Sequence, residues 1–385
     1  MIKIIIVLIL IMPVSVFAGE MDELIDRQIE EGVVGNLQQQ LDKVKNKDFE
    51  DIIPSFNVKD MTRSLASGGW SWDVSVILKR AFAFYCKELF ISIKMMISLL
   101  ALAFACALGD NLQKSFGDGS VGRTAFYISF FLTASVAVNA FMNSVSLASD
   151  TLDNAVIFVN ALIPATLAFL AGGGATVSAG VFHRVMMLSV DVVSLCVKNI
   201  IFPFILISAA LSAAGCVSEK NTVNRLSKLF SNIAKWLLGI LITVFIAVIT
   251  MQSLAAPALD GIATKTAKYA MGVFVPVIGS VLSETLDLVF GSCVILKNAV
   301  GVTGLVAVLA ICCAPLIRLA AQATMFSLAA AAIEPVADQR MMDMLSKIGE
   351  SVMLVFVILL VVILMFIVNL AVIISAGNTA AVLGR

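Results

Sequence analysis

Residues 256–305 read APALDGIATKTAKYAMGVFVPVIGSVLSETLDLVFGSCVILKNAVGVTGL. This stretch is too apolar for a surface loop, yet glycines and charged residues interrupt it too often for a plain membrane span. Within a bilayer, interrupted backbone is tolerated only where neighbouring protein or water shelters it. The stretch therefore predicts membrane-embedded backbone with a role beyond anchoring.

The composition of the whole chain indicates a lipid environment. Of the 385 residues, 60% are hydrophobic and 14% are charged, and the mean hydropathy is +1.02. Soluble domains carry roughly 45–50% apolar and about 25% charged residues. This chain therefore has too little polar surface to enclose a soluble globule of its size. It contains no basic tract, which argues against nucleic-acid binding.

The amino-terminal region is predicted to lie outside the cytoplasm. Lys3, the apolar residues 4–12 and a small-residue cleavage pattern are typical of a secretory signal peptide over residues 1–18, with an uncleaved anchor as the alternative. Residues 19–80 form an acidic, amphipathic region, predicted to fold into short helices that pack on a partner or on the membrane domain. Residues 81–385 form the multi-pass membrane domain.

A membrane-spanning helix needs about 20 mostly apolar residues, and six stretches of the chain fit that length. They lie at 89–109, 124–148, 200–216, 236–256, 298–317 and 351–376. Two further apolar intervals, 155–199 and 270–297, contain glycine, proline and charged residues. Each interval is predicted to be a helical hairpin or a pair of broken half-helices rather than one straight span.

Glycines and prolines are the predicted hinges or re-entrant turns of these two intervals. Glycine permits a positive φ and close backbone approach, and proline cannot donate a helical hydrogen bond. The glycine triplet at 172–174 favours the turn of a re-entrant hairpin, and a plain loop between two full spans is the alternative. The hinge residues are Pro164, Gly172, Gly173, Gly174, Pro276 and Gly279.

The fold class is predicted to be all-α: a polytopic integral membrane protein with two parallel pseudo-repeats that contain interrupted helices. A shift of 112 residues carries Pro164 onto Pro276, and the order of span, interrupted interval, span and linker recurs. Repeat A is placed at 124–235 and repeat B at 236–347, before a final span at 351–376. With the amino terminus outside, the inner connections hold nine Lys and Arg residues and the outer connections three, as the positive-inside rule expects.

Charged residues at membrane depth form the candidate functional site. A central Asp, Lys or Arg costs roughly 2.5–3.5 kcal/mol on translocon scales, so such residues persist when they are paired, hydrated or near the interface. One hypothesis is that they line a polar path or a subunit joint between the repeats. The alternative is that they are paired or interfacial charges that only fix helix depth. The residues are Arg184, Asp191, Lys198, Glu284, Asp287 and Lys297.

A basic amphipathic helix is predicted at 217–235 on the cytoplasmic side of the membrane. Its apolar residues fall on one helical stripe, and its basic residues lie elsewhere on the helix. Such a helix would lie on anionic lipid or dock a partner, and the pattern does not separate these two possibilities. The candidate docking residues are Arg225, Leu226, Lys228, Leu229 and Phe230.

The sequence predicts neither an enzyme nor a cofactor or metal site. His183 is the only histidine, so an HExxH zinc motif cannot form. The phosphate-binding loop GxxxxGK(S/T) and the nucleophile elbow GxSxG are both absent from the sequence. The seven cysteines lie in or beside apolar segments without a CxxC pair, which is typical of small apolar core residues.

Three motifs of the opening stretch resemble the stage III sporulation protein AE family of endospore-forming bacteria. They are DGIATKTAK at 260–268, VPVIGSVLSETLD at 275–287 and LKNAVG at 296–301. Shorter matches, such as Glu334 followed by Pro335, occur in the order that the family shows. The resemblance covers essentially everything after residue 80.

The resemblance implies a mother-cell protein of the outer forespore membrane, within the secretion-like channel complex that joins mother cell and forespore and is needed for forespore development after engulfment. Its implied partners are the membrane and ring-forming proteins of the same operon, a cytoplasmic secretion-type ATPase, and a forespore-made protein in the intermembrane space. The family offers no catalytic residues to carry over. A stand-alone or ABC-type transporter permease is the competing function, and a purely structural scaffold is a third.

Overall fold

The computed structural model of the chain describes residues 33–44, 56–67, 74–116, 119–217, 223–274, 279–335 and 339–376. The predicted signal peptide at 1–18 and Pro276 lie outside these ranges. Every regular element within them is helical: α1 Val33–Val44, α2 Val58–Ala66, α3 Val74–Phe116, α4 Gly119–Gly172, α5 Thr176–Cys196, α6 Phe202–Val217, α7 Asn224–Phe274, α8 Gly279–Ile333 and α9 Gln339–Ser375. A π turn, Val197–Ile201, joins α5 to α6 without a break.

Within the described ranges, six helical segments are long and apolar enough to cross a membrane. Lipid offers no hydrogen-bond partner to the backbone, so apolar segments of this length fold as helices that satisfy their own peptide groups. The all-α, multi-pass class that the sequence predicts is confirmed. The segments are Ser75–Ala105, Tyr127–Gly172, Thr176–Cys216, Asn224–Ser253, Val289–Ile333 and Gln339–Ser375.

The glycine triplet ends one long helix and starts the reversal of the chain. The Gly174 N–H donates to the Ala171 carbonyl at 3.0 Å, and the Ala175 N–H donates to the Leu170 carbonyl at 3.2 Å. This is the Schellman pattern of a helix carboxyl terminus, and it requires a left-handed residue at the position of Gly174, whose φ is 92°. The turn is therefore short and well defined, and α5 begins at once with Thr176.

Proline does not break the first interrupted interval, and the two-repeat organisation is not visible in the helix bounds. Helix α4 continues through Pro164 to Gly172. A shift of 112 residues carries the turn at 173–175 onto 285–287, which lie inside the continuous helix α8. The pseudo-repeats and the re-entrant position of the turn thus stay predictions.

Helix α8 occupies the centre of the described bundle and approaches its neighbours at glycines. A Cβ atom added to Gly304 would lie 2.1 Å from Leu162 Cδ2 on α4, and one added to Gly301 would lie 2.5 Å from Ile374 Cγ1 on α9. Both distances are far below van der Waals contact. Small residues at such crossings let membrane helices pack closely, which is a main source of their association in lipid.

The bundle has two distinct ends. At one, which we call the turn end, Gly172 contacts Cys293. The Thr62 hydroxyl of α2 donates to that of Thr303 at 3.2 Å, so the short amino-terminal helices pack on the half of the bundle nearest this end. At the other, the linker end, Lys347 Nζ donates to Asn224 Oδ1 at 3.1 Å. The predicted extracytoplasmic region and the predicted cytoplasmic segment 217–235 therefore lie towards opposite ends.

One expectation about depth is wrong. The sequence places Glu88 just before the span 89–109 and Arg318 just after the span 298–317, on opposite sides of the membrane. In the structure Arg318 Nη2 donates to Glu88 Oε1 at 2.9 Å, with Glu88 buried, so the two residues share one depth. Ser144 Oγ of α4 also donates a hydrogen bond to Gln322 Oε1 of α8 at 2.8 Å. Glu88 and Arg318 thus lie inside the apolar segments Ser75–Ala105 and Val289–Ile333, rather than at opposite ends of two spans.

The close approach at Gly304 predicts a selective loss of stability. Gly304→Ala should lower the free energy of unfolding by about 1–3 kcal/mol, because the added methyl overpacks a fully buried Leu162. Gly239→Ala is the matched control, since no atom lies within 4 Å of its added Cβ, and it should be neutral or slightly stabilising. Thermal unfolding of both variants in the same detergent compares them, and equal stability would contradict the close approach.

The shared depth of Glu88 and Arg318 predicts a crosslink. With the native cysteines replaced by alanine, Glu88→Cys and Arg318→Cys should react together with a short bismaleimide in membranes. The control pair is Glu88→Cys with Ile295→Cys, since Ile295 lies roughly 34 Å along α8 from Arg318. Gel mobility reports the product. A crosslink from residue 88 to residue 295 instead of residue 318 would place Glu88 on the side of the membrane opposite Arg318, as the sequence predicts. That result would contradict the shared depth of Glu88 and Arg318.

Candidate intramembrane polar site

The candidate site is built on the two antiparallel arms that the glycine turn joins. Helix α4 ends at Gly172 and α5 begins at Thr176, so residues at equal distance from the turn lie opposite each other. Polar residues recur at seven-residue intervals on both arms. This spacing keeps them on one helical face, about two turns apart.

Two polar pairs bridge the arms. Lys198 Nζ donates to both carboxylate oxygens of Asp153, at 2.6 and 2.5 Å. One step closer to the turn, Asn160 Nδ2 donates to Asp191 Oδ1 at 2.9 Å. Asp153 and Asn160 are seven residues apart on α4, and Lys198, in the π turn after α5, lies seven residues beyond Asp191 of α5. The pairs therefore form successive rungs along one helix interface.

Arg184 continues the series on α5, seven residues before Asp191. Leu167 takes the matching position on α4, and both Arg184 and Leu167 line a shallow groove together with Pro164 and His183. We call this series the polar ladder; it consists of Asp153, Asn160, Arg184, Asp191 and Lys198. The structure thus brings together three of the six charged residues that the sequence predicts and adds two partners from α4.

The polar ladder faces outward from the bundle, although its residues belong to two segments that are long and apolar enough to cross a membrane. Arg184 and Asp191 are exposed, and the side chains of Asp153 and Lys198 are 47% and 28% exposed. The Oδ1 atom of Asn160 is buried and has no hydrogen-bond partner among the described residues, so it does not belong to the outward face. Charges at membrane depth are stable only against water, protein or another charge. The outward face of the ladder therefore needs a polar surrounding that hydrocarbon cannot supply.

Lys297 has a different role from the one expected. Its side chain is fully buried on α8, and its ammonium group donates to the Ile374 carbonyl at 2.9 Å and to the Ala376 carbonyl. The last carbonyls of a helix have no intrahelical partner and carry partial negative charge, so a cation there is stabilising. Lys297 caps the end of α9 and lies apart from the polar ladder.

The other members of the predicted charged set lie where side chains are not described. Glu284 and Asp287 belong to the first turns of α8, which begins at Gly279. Nothing in the described part of the chain connects them to the ladder. Their assignment to a polar path or subunit joint stays a prediction.

The predicted docking helix is not a separate surface element. Arg225, Leu226, Lys228, Leu229 and Phe230 form the first turns of α7, which continues directly into a membrane-spanning segment. Phe230 packs on a ring of α6, that of Phe204, with 5.7 Å between ring centroids. Leu226 and Leu229 remain exposed, as do the two basic residues. The segment therefore presents a mixed apolar and basic surface at the linker end.

Asp153 and Asn160 are site residues that the sequence reasoning missed. Both lie in the segment 149–160, which follows the predicted span 124–148 and overlaps the predicted interrupted interval 155–199. The structure continues α4 through this segment to Gly172. The signal that identifies the two residues is their seven-residue spacing, which matches the spacing of Arg184, Asp191 and Lys198.

The chemistry available at the ladder is ion pairing and hydrogen bonding. Within the described ranges, no three His, Cys, Asp or Glu side chains come together as metal ligands. The ladder carries two carboxylates, two cations and one amide. This arrangement can hold water or a polar partner surface without a cofactor.

Comparison of the sequence with known proteins assigns the chain to one protein family. The family model for stage III sporulation protein AE matches residues 56–377. The chain is 33% identical over 312 residues to the stage III sporulation protein AE of Bacillus subtilis strain 168, covering 81% of this chain and 78% of that protein. No solved structure gives a significant match. With six apolar helices in the part of the chain that the structure describes, this multi-pass membrane protein belongs to the stage III sporulation protein AE family.

Proposed function

We propose that this chain is a membrane component of the secretion-like channel complex that links mother cell and forespore, and that it acts in the outer forespore membrane after engulfment. Membership of the family supports a role in sporulation. The proposed partners are the membrane and ring-forming proteins of the same operon, a cytoplasmic secretion-type ATPase, and a forespore-side protein in the intermembrane space.

The observation that carries this proposal is the outward position of the polar ladder. A protein that worked alone in lipid would pay a desolvation cost for each exposed charge at this depth. Asp153 pairs with Lys198 and Asp191 accepts from Asn160, so the pairs lower that cost but leave their outer sides uncovered. An adjoining subunit or a water-filled passage within an assembly supplies the missing polar surrounding.

The two ends of the bundle offer distinct surfaces to the proposed partners. Helices α1 and α2 belong to the acidic region and pack towards the turn end through Thr62. Arg225 and Lys228 are exposed at the linker end beside exposed leucines. With the sidedness that the sequence predicts, the amino-terminal region that contains α1 and α2 meets the intermembrane-space partner, and the basic surface meets the cytoplasmic one.

Neutralising the polar ladder tests this function. The variant Asp153→Asn, Arg184→Gln, Asp191→Asn, Lys198→Gln keeps net charge and shape and should reach the membrane at normal levels. Recovery of the other complex proteins with the tagged chain should fall roughly tenfold or more, because close charge pairs across an interface contribute coupling energies of about 1.5–7 kcal/mol. Counts of heat-resistant spores should fall in parallel.

The control is Lys79→Gln with Arg80→Gln, two exposed residues at the start of α3, which should leave both measurements unchanged. Normal partner recovery and normal spore counts in the ladder variant would show that the ladder charges only fix the depth of their helices. Solute transport by the purified chain alone, abolished by the same substitutions, would favour a permease instead.

A further inference from the structure

A cavity of about 220 Å³ opens at the linker end, between α6, α7 and α9. Three helices that are distant in sequence contribute to its wall, so it exists only in the folded bundle. Serines and lysines dominate the polar part of the lining. We call it the basic pocket, and the argument concerns Ser212, Lys228, Ser231, Lys235, Lys347 and Glu350.

The basic pocket carries an excess of positive charge. Lys228, Ser231 and Lys235 lie three, four and seven residues apart, on one face of α7. Lys347 approaches from α9. Glu350 is the carboxylate in the lining, and Asp343 lies one turn before Lys347 on α9. Three ammonium groups around one small cavity with a single lining carboxylate favour an anion.

Hydrogen bonds hold the floor of the pocket in place. Ser208 Oγ donates to the Ser227 carbonyl and Ser227 Oγ donates to the Ser208 carbonyl, each at 2.9 Å. Ser212 Oγ and Ser227 Oγ lie 2.6 Å apart. Lys347 is fixed by Asn224 Oδ1 at 3.1 Å. The pocket is therefore preorganised on one side, while Lys228 and Lys235 are exposed at its mouth.

The position of the basic pocket indicates a ligand at the membrane surface. Leu354 and Ile205 line its apolar side, towards the spans. Trp236 follows Lys235 directly and is 76% exposed, as expected for an aromatic residue at the level of lipid headgroups. Basic pockets between transmembrane helices bind anionic headgroups on the cytoplasmic side of membranes.

We propose that the basic pocket binds a phosphate group, with Lys228 and Lys235 as its charged contacts, Lys347 as the fixed cation and the Ser231 hydroxyl as a further donor. An anionic phospholipid headgroup and free inorganic phosphate share this chemistry. The exposed Trp236 and the apolar wall favour the lipid. The basic pocket shares Lys228 with the proposed cytoplasmic surface, but phosphate binding needs only the folded chain and is tested without any partner protein.

The experiment uses the purified full chain in nanodiscs of phosphatidylcholine alone or with phosphatidylglycerol. Native mass spectrometry counts retained lipid, and thermal unfolding reports stabilisation. A separate arm adds inorganic phosphate to the phosphatidylcholine discs. Lys228→Gln with Lys235→Gln should reduce retention of phosphatidylglycerol roughly tenfold or more. The charge-matched control, Lys79→Gln with Arg80→Gln, should retain it.

A second variant guards against loss of folding in the first. Ser231→Phe fills the pocket without removing a charge and should also abolish retention. Stabilisation by inorganic phosphate that the pocket variants abolish would support the same chemistry with a free anion as its source. Equal retention in the pocket variants and the control, or stabilisation by neither ligand, would overturn the proposal.

Discussion

Close helix contact at Gly301 and Gly304 is the constraint on which the described bundle depends. In lipid, apolar surface gains little from leaving its solvent, so helices associate through tight packing and hydrogen bonds. These two glycines lie within one turn of α8 and bring it against α9 and α4 respectively. Lys297, one turn earlier, caps the end of α9. One short part of α8 thus fixes the positions of both neighbours.

The polar ladder follows from that packing. Helix α4 presents its buried face to α8, with Phe158 and Leu162 fully covered, so its polar residues fall on the outer side. The left-handed Gly174 sets where α5 begins, and this sets which residues of the two arms meet. A one-residue change in the turn would rotate the arms out of register and separate Asp153 from Lys198. The glycine triplet therefore contributes to the site by setting register.

Sequence reasoning identified what local pattern determines and missed what depends on distant partners. Apolar length predicted helices and spans, and the glycines at 172–174 predicted the chain reversal. The sequence pattern does not predict the role of Lys297, because its partners are the backbone carbonyls of residues 374 and 376 and no side chain marks them. An apolar stretch likewise shows where a span lies along the chain. It does not show how deep that span sits relative to a neighbouring helix. The pairing of Glu88 with Arg318 could come only from the folded arrangement.

That difference in depth bears on how the protein is surrounded. From the level of Arg318, α3 continues 28 residues beyond Glu88 to Phe116, roughly 42 Å of helix. Its described outer surface is apolar at Phe90 and Leu108, which are 73% and 62% exposed, while the apolar segment of α8 extends from Val289 to Ile333, on both sides of Arg318. The combined height exceeds the hydrocarbon thickness of about 30 Å. A flat bilayer can cover only part of such a surface. A chain of this shape is suited to an assembly rather than to isolation in lipid.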